Sequence, residues 1–139
     1  MGLNAVVYKN RKNLKLGLDE ERVRLVPETG ELYFESEQLS RKYQLEAAEH
    51  RLGNTAEIRA LREEAMRLIG PESVVVKRVL YSGTHSGDAI PVESVSSLAA
   101  EVSSIHNASL QSAEFRRFID AMKELVRVAE EEGNPIVFV

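Results

Sequence analysis

Val74-Val75-Val76-Lys77-Arg78-Val79-Leu80-Tyr81 is the stretch on which the fold turns. Three consecutive β-branched residues read as a strand buried on both faces. The segment before it reads as a helix. Asn54 can cap it and Glu57 stands three residues on, as a capping box requires; Ile58, Leu61, Ala65 and Leu68 recur at helical spacing. Arg59, Glu63 and Arg67 sit i, i+4 on the opposite face, and Gly70-Pro71 supplies the stop. Beyond the valines comes the polar stretch Tyr81–Asp88. Pro91 then opens a second helix carrying Val92, Val95, Leu98, Val102 and Ile105, broken at His106-Asn107. Helices on both sides permit the valine strand to pair in parallel without requiring it.

Working outward, Asn4–Lys9 is short, β-branched and aromatic, as a strand should be, and Asn10–Asn13 reads as a polar turn. Arg22–Pro27 and Glu31–Glu35 flank Pro27-Glu28-Thr29-Gly30, which predicts a hairpin. Ser36–Glu49 reads as a helix with Ser36 as cap and an apolar stripe of Leu39, Tyr43 and Leu45 to Ala48. His50-Arg51-Leu52-Gly53-Asn54 interrupts it. A last helix over about Leu110–Glu132 carries Phe115, Phe118, Ile119, Met122, Leu125, Val126 and Ala129 on one face. Gly133-Asn134-Pro135 ends it, and Ile136–Val139 forms a closing strand. The expectation is an α+β fold: a mixed sheet of about four or five strands with about four helices packed on it, residues 1–139 forming a single domain.

Composition narrows the function classes. A net charge of −4 opposes nonspecific nucleic-acid binding, which draws its affinity from neutralising phosphates. With no cysteine there is neither a disulfide nor a thiolate metal site. No apolar run approaches the roughly 20 residues that span a bilayer, and the basic residues follow the short apolar start instead of preceding it, so a soluble, cytoplasmic protein is expected. Charge is uneven along the chain. Lys9, Arg11, Lys12 and Lys15 precede a segment in which Asp19, Glu20, Glu21, Glu28, Glu31, Glu35 and Glu37 face only Arg22 and Arg24. Solvated loops or a polarised binding face both account for this.

Chemistry has three candidate locations. The loop holding Ser82, Gly83, Thr84, His85, Ser86, Gly87 and Asp88 can present amides and hydroxyls to an anion, with His85 as a switchable donor or base. It lacks the Gly-Lys-Ser/Thr ending of a P-loop and the G-x-G-x-x-G pattern, and its Ser, Thr and Asp can equally satisfy their own turn. His50 and Arg51, ahead of Gly53 and Asn54, can grip a carboxylate or phosphate, or merely bound a helix connection. Glu130, Glu131 and Glu132 oppose the macrodipole at a helix C-terminus, so they read as a solvated end or as an acidic patch for a basic partner. His50, His85 and Asp88 form an adequate ligand set for zinc or iron, but no spacing demands it, and neither metal nor cofactor is expected. No Gly-x-Ser-x-Gly elbow is present, so no catalytic residue is assigned.

Gly2-Leu3-Asn4-Ala5-Val6-Val7-Tyr8, His50-Arg51-Leu52-Gly53-Asn54, Leu80–Asp88 and Gly133-Asn134-Pro135-Ile136 together resemble small bacterial single-domain proteins of unassigned role, associated with immunity proteins of polymorphic toxin systems. The resemblance implies a non-enzymatic protein-binding module that neutralises a cognate toxin. The rival expectation is a small enzyme or anion-binding domain that brings His50 and Arg51 alongside the 81–88 loop in one concave pocket. A homodimer through a partly exposed Phe115, Phe118 and strand Arg22–Pro27 is a third expectation.

Overall fold

The computed structural model describes residues 2–106 and 111–139. Its centre is β1, Leu3–Tyr8, flanked by β4 (Glu46–Gly53) and β6 (Ile136–Phe138), with β5 (Ala89–Ile90) beyond β6, in the order β4-β1-β6-β5. Every pairing is antiparallel: Ala5 lies opposite both His50 and Phe138, and Ile90 opposite Ile136. The fold is therefore α+β as expected, with an antiparallel sheet where mixed pairing was anticipated.

Alternation along β1 divides the core. Leu3, Ala5 and Val7 join Ala48, Leu52, Ile136 and Phe138 on the face covered by helices α2 (Thr55–Ile69), α3 (Val92–His106) and α4 (Ala113–Glu132). Val6, Tyr8 and Val137 form a smaller cluster on the other face. Helix α4 contributes most to the main core. Phe115, Ile119, Met122 and Leu125 are almost wholly buried, each worth roughly 1.5–3 kcal/mol relative to exposure. Ser112 caps this helix by accepting from the Phe115 amide, and Gly133 closes it in the left-handed region at φ 65°. The capping box at Asn54 and Glu57 forms as read, and Gly70 ends α2 at φ 85°.

A second cluster of Leu14, Leu16, Val23, Leu32 and Phe34 lies under the hairpin of β2 (Val23–Leu25) and β3 (Leu32–Phe34), with Leu39, Tyr43 and Leu45 against it. The hairpin tip reaches the main sheet. A Cβ on Gly30 would meet the Asn134 side chain at 2.5 Å, and Asn134 in turn donates to the Tyr8 carbonyl at 2.7 Å.

Two sequence expectations are corrected. Val74–Tyr81 is not a strand: Val75–Val79 forms a π-helical turn, with the Leu80 amide bonding the Val75 carbonyl at 2.9 Å. Val75, Val76, Val79 and Leu80 are buried while Lys77 and Arg78 face out, a helical arrangement that the valine run concealed. Glu101 of α3 explains its stability. Its carboxylate accepts from the amides of Val74 and Val75 at 2.9 and 2.8 Å, occupying donors that a short helix leaves orphaned. Second, the helix read over Ser36–Glu49 divides into α1 (Glu37–Lys42) and the start of β4. Glu, Ala, Arg and Leu favour helices in isolation, but pairing along β1 outweighs that preference. Asn107 and Leu110, read as a helix break and a helix start, lie outside the described residues; α3 runs through His106.

Candidate functional site

The loop Tyr81–Asp88 is an ordered turn built on its own side chains. Ser82 Oγ accepts from the Thr84 amide at 3.1 Å and lies 3.1 Å from the Thr84 hydroxyl, and the Tyr81 hydroxyl donates to Asp88 Oδ2. Its far end runs along β6: Gly87 N–H donates to the Phe138 carbonyl at 2.7 Å, and Phe138 N–H to the Asp88 carbonyl at 2.9 Å. Its near end rests on α2, where a Cβ at position 83 would lie 2.8 Å from Thr55 Cα. Only glycine allows that approach. Thr84, Ser86 and Asp88 are exposed.

His85 is the exception. Only 7% of it is exposed, its ring held against Tyr81 (centroids 4.2 Å apart) and edge-on to Phe138 (4.6 Å). Neither ring nitrogen has a protein hydrogen-bond partner of good geometry. Burial pulls its pKa below the ordinary value, and the Ser82 backbone opposes this only partly.

The other predicted residues sit elsewhere. His50 lies on β4, its Nε2 3.0 Å from Glu124 of α4. Arg51 reaches Glu57 at 3.0 Å; that guanidinium, and then the Asn54 amide, hold the Glu57 carboxyl below the usual carboxylate range. Asn54 is occupied as the cap of α2. Gly83 on Thr55 thus brings the loop beside the Asn54 turn, while His50 and His85 have separate partners on β4–α4 and on β6. Among the described residues no group of three or more His, Asp or Glu side chains is placed to hold a metal ion.

The acidic triplet does not form one patch. Glu130 is exposed and Glu131 pairs with Arg127 at 2.8 Å, but Glu132 is buried. Its carboxylate accepts from the Asn13 side chain and its carbonyl from that of Asn10, so it anchors the turn after β1. Of the apolar side chains expected at a dimer surface, Phe115 is fully buried and Phe118 nearly so, while Leu25 on the strand Arg22–Pro27 is exposed.

One concavity was not foreseen from the sequence. A groove of about 510 Å³ opens between α2, α4 and the end of β4. Leu52, Leu61 and Phe118 floor it, and Ala60 and Ala121 stand where larger side chains would close the seam between the helices. Arg51 and Glu57 line one end. Glu114 and Arg117, 3.9 Å apart, line the other, and Glu64 there accepts from the Ser112 amide at 2.9 Å. Of the predicted candidates only Arg51 contributes; His50, His85 and Asp88 do not line it. The alanines within two amphipathic helices were the one available signal, and it has meaning only once the two helices are known to be neighbours.

No family model, curated protein or solved structure matches this chain.

Proposed function

We propose that this chain is a non-catalytic protein-binding domain, and that the groove between α2, α4 and β4 takes an apolar side chain of the partner. The groove itself carries the reading: a floor of Leu52, Leu61 and Phe118 under a rim bearing Arg51, Arg117, Glu57, Glu64 and Glu114. An apolar centre ringed by charges is the anatomy of a specific protein interface. Support also comes from the polar candidates, which are engaged structurally: His50 with Glu124, Arg51 with Glu57, Asp88 with Tyr81. Neutralising a cognate toxin in the cytoplasm of the producing cell is the particular form of this role, suggested by the sequence resemblance. A net charge of −4 suits a basic partner, because complementary charge steers encounter and disfavours wrong pairings.

Co-expression with the products of the flanking reading frames tests this, read by size-exclusion chromatography with light scattering. A 1:1 complex with one product is expected. Ala60→Arg and Ala121→Arg, which fill the groove from its walls, should each weaken it by at least about tenfold. No complex with either product, or one indifferent to both arginines, would overturn the proposal.

A further inference from the structure

Strand β4 ends the four-stranded sheet, and at 8 residues it has the longest edge among the described strands. Alternation along β1 fixes which of its backbone groups remain. Asn4 exchanges both hydrogen bonds with Val139, each 2.9 Å, so its peptide groups face β6. Those of Ala5 and Val7 then turn toward β4 and engage their opposite numbers, His50 and Ala48. By the same alternation the amides and carbonyls of Glu49 and Arg51 point out of the sheet, and both residues are exposed. Among the described residues no loop, cap or side chain bonds to those groups.

We propose that this edge pairs with the same edge of a second copy, antiparallel, about a two-fold axis through His50. An antiparallel ladder joins outward-facing residues to outward-facing residues, which limits the possible axes. An axis through Glu49 sets that carboxylate against itself. One through Ala48 sets Glu49 against Ala47. The axis through His50 sets Glu49 opposite Arg51 twice. Opposite charges directly across a ladder stabilise it and like charges destabilise it, so the charges select this register. Arg51 holds its own Glu57 at 3.0 Å, and its fork of five donors can serve a second carboxylate. The register shift between Leu3 and Asn4, which leaves Leu52 bulged, ends the ladder beyond Arg51. A bulge and charged residues normally guard an edge against indiscriminate pairing; here opposite charges two residues apart leave it selective for its own copy.

Sedimentation velocity on the purified chain alone, from about 1 µM to about 1 mM, tests this separately from any heterologous binding. Wild type should dimerise, and Glu49→Arg and Arg51→Glu should each raise the dimer Kd at least about tenfold. The double variant E49R/R51E should recover dimerisation. An equimolar mixture of the E49R and R51E single variants should form a heterodimer, because both cross-strand pairs become complementary again. That mixture also shows that neither single variant lost its dimer by failing to fold. A wild-type chain monomeric throughout the range overturns the proposal; so does a dimer that E49R leaves unchanged or that the charge swap fails to restore.

Discussion

His85 shows what a single residue costs and secures. Its ring closes the space between Tyr81 and Phe138, but its two nitrogens lack well-formed partners, an arrangement that favours the neutral imidazole. The folded pKa therefore lies below the ordinary value near 6.5, and the unfolded chain takes up the proton first as pH falls. Stability is constant above that value and declines as pH drops from it toward the folded pKa. Urea unfolding at pH 7.5 and at lower pH should show a larger fall in midpoint for wild type than for His85→Phe, which retains the ring packing and cannot titrate. Equal falls would mean that the buried imidazole is not linked to folding. Glu132 gives a second prediction. Removing its carboxylate with Glu132→Ala costs the hydrogen bond to Asn13, whose exposed amide can turn to water instead, so the loss in denaturant unfolding should be about 0.5–1.5 kcal/mol, the net worth of one hydrogen bond. Glu130→Ala, on the exposed side of the same helix end, should stay within about 0.5 kcal/mol.

Among the elements, the π-helical turn depends most on a distant residue. Glu101 holds the Val74 and Val75 amides, so Glu101→Ala should lower stability by roughly 1.5–3 kcal/mol, the range for hydrogen bonds to a charged group. Glu101→Gln, which keeps one neutral acceptor, should lose less; equal losses would show that a single uncharged acceptor does not hold the turn. This turn also marks the limit of what was legible. Elements with local signals were readable: the Asn54–Glu57 box, the Pro27–Gly30 hairpin, the stripe of α4 and the Gly133 stop. Ser73, whose hydroxyl accepts from the Val76 amide, was a readable hint of a helical start before the valines, but Glu101 lies 26 residues from Val75 and no local pattern announces it. Strand β4 failed for the related reason that its residues favour a helix until β1 is beside them. The 81–88 loop, read as either an elaborate turn or a site, forms a turn bonded by its own side chains. Its one buried group, His85, could not be told from the exposed Ser86 by sequence.

At the scale of the whole molecule, the features that bear on function join segments far apart in the chain. The groove needs Leu52 from β4, Ala60 and Leu61 from α2, and Phe118 and Ala121 from α4, so no motif could have displayed it. The helix-covered face of the sheet also governs which charges are available. Glu132 is drawn inward, while Arg51, Glu114 and Arg117 remain at the rim. No helix is long and apolar enough to cross a membrane among the described residues. The measurement that bears most directly on the groove as a binding surface is calorimetric titration of the wild-type and Ala121→Arg chains with the purified product of the flanking reading frame, at several temperatures. The groove reading predicts a 1:1 stoichiometry and a negative heat-capacity change for wild type, as an apolar side chain leaves water, with the affinity at least about tenfold weaker for Ala121→Arg. Absence of binding, or equal affinity for the two chains, would contradict it.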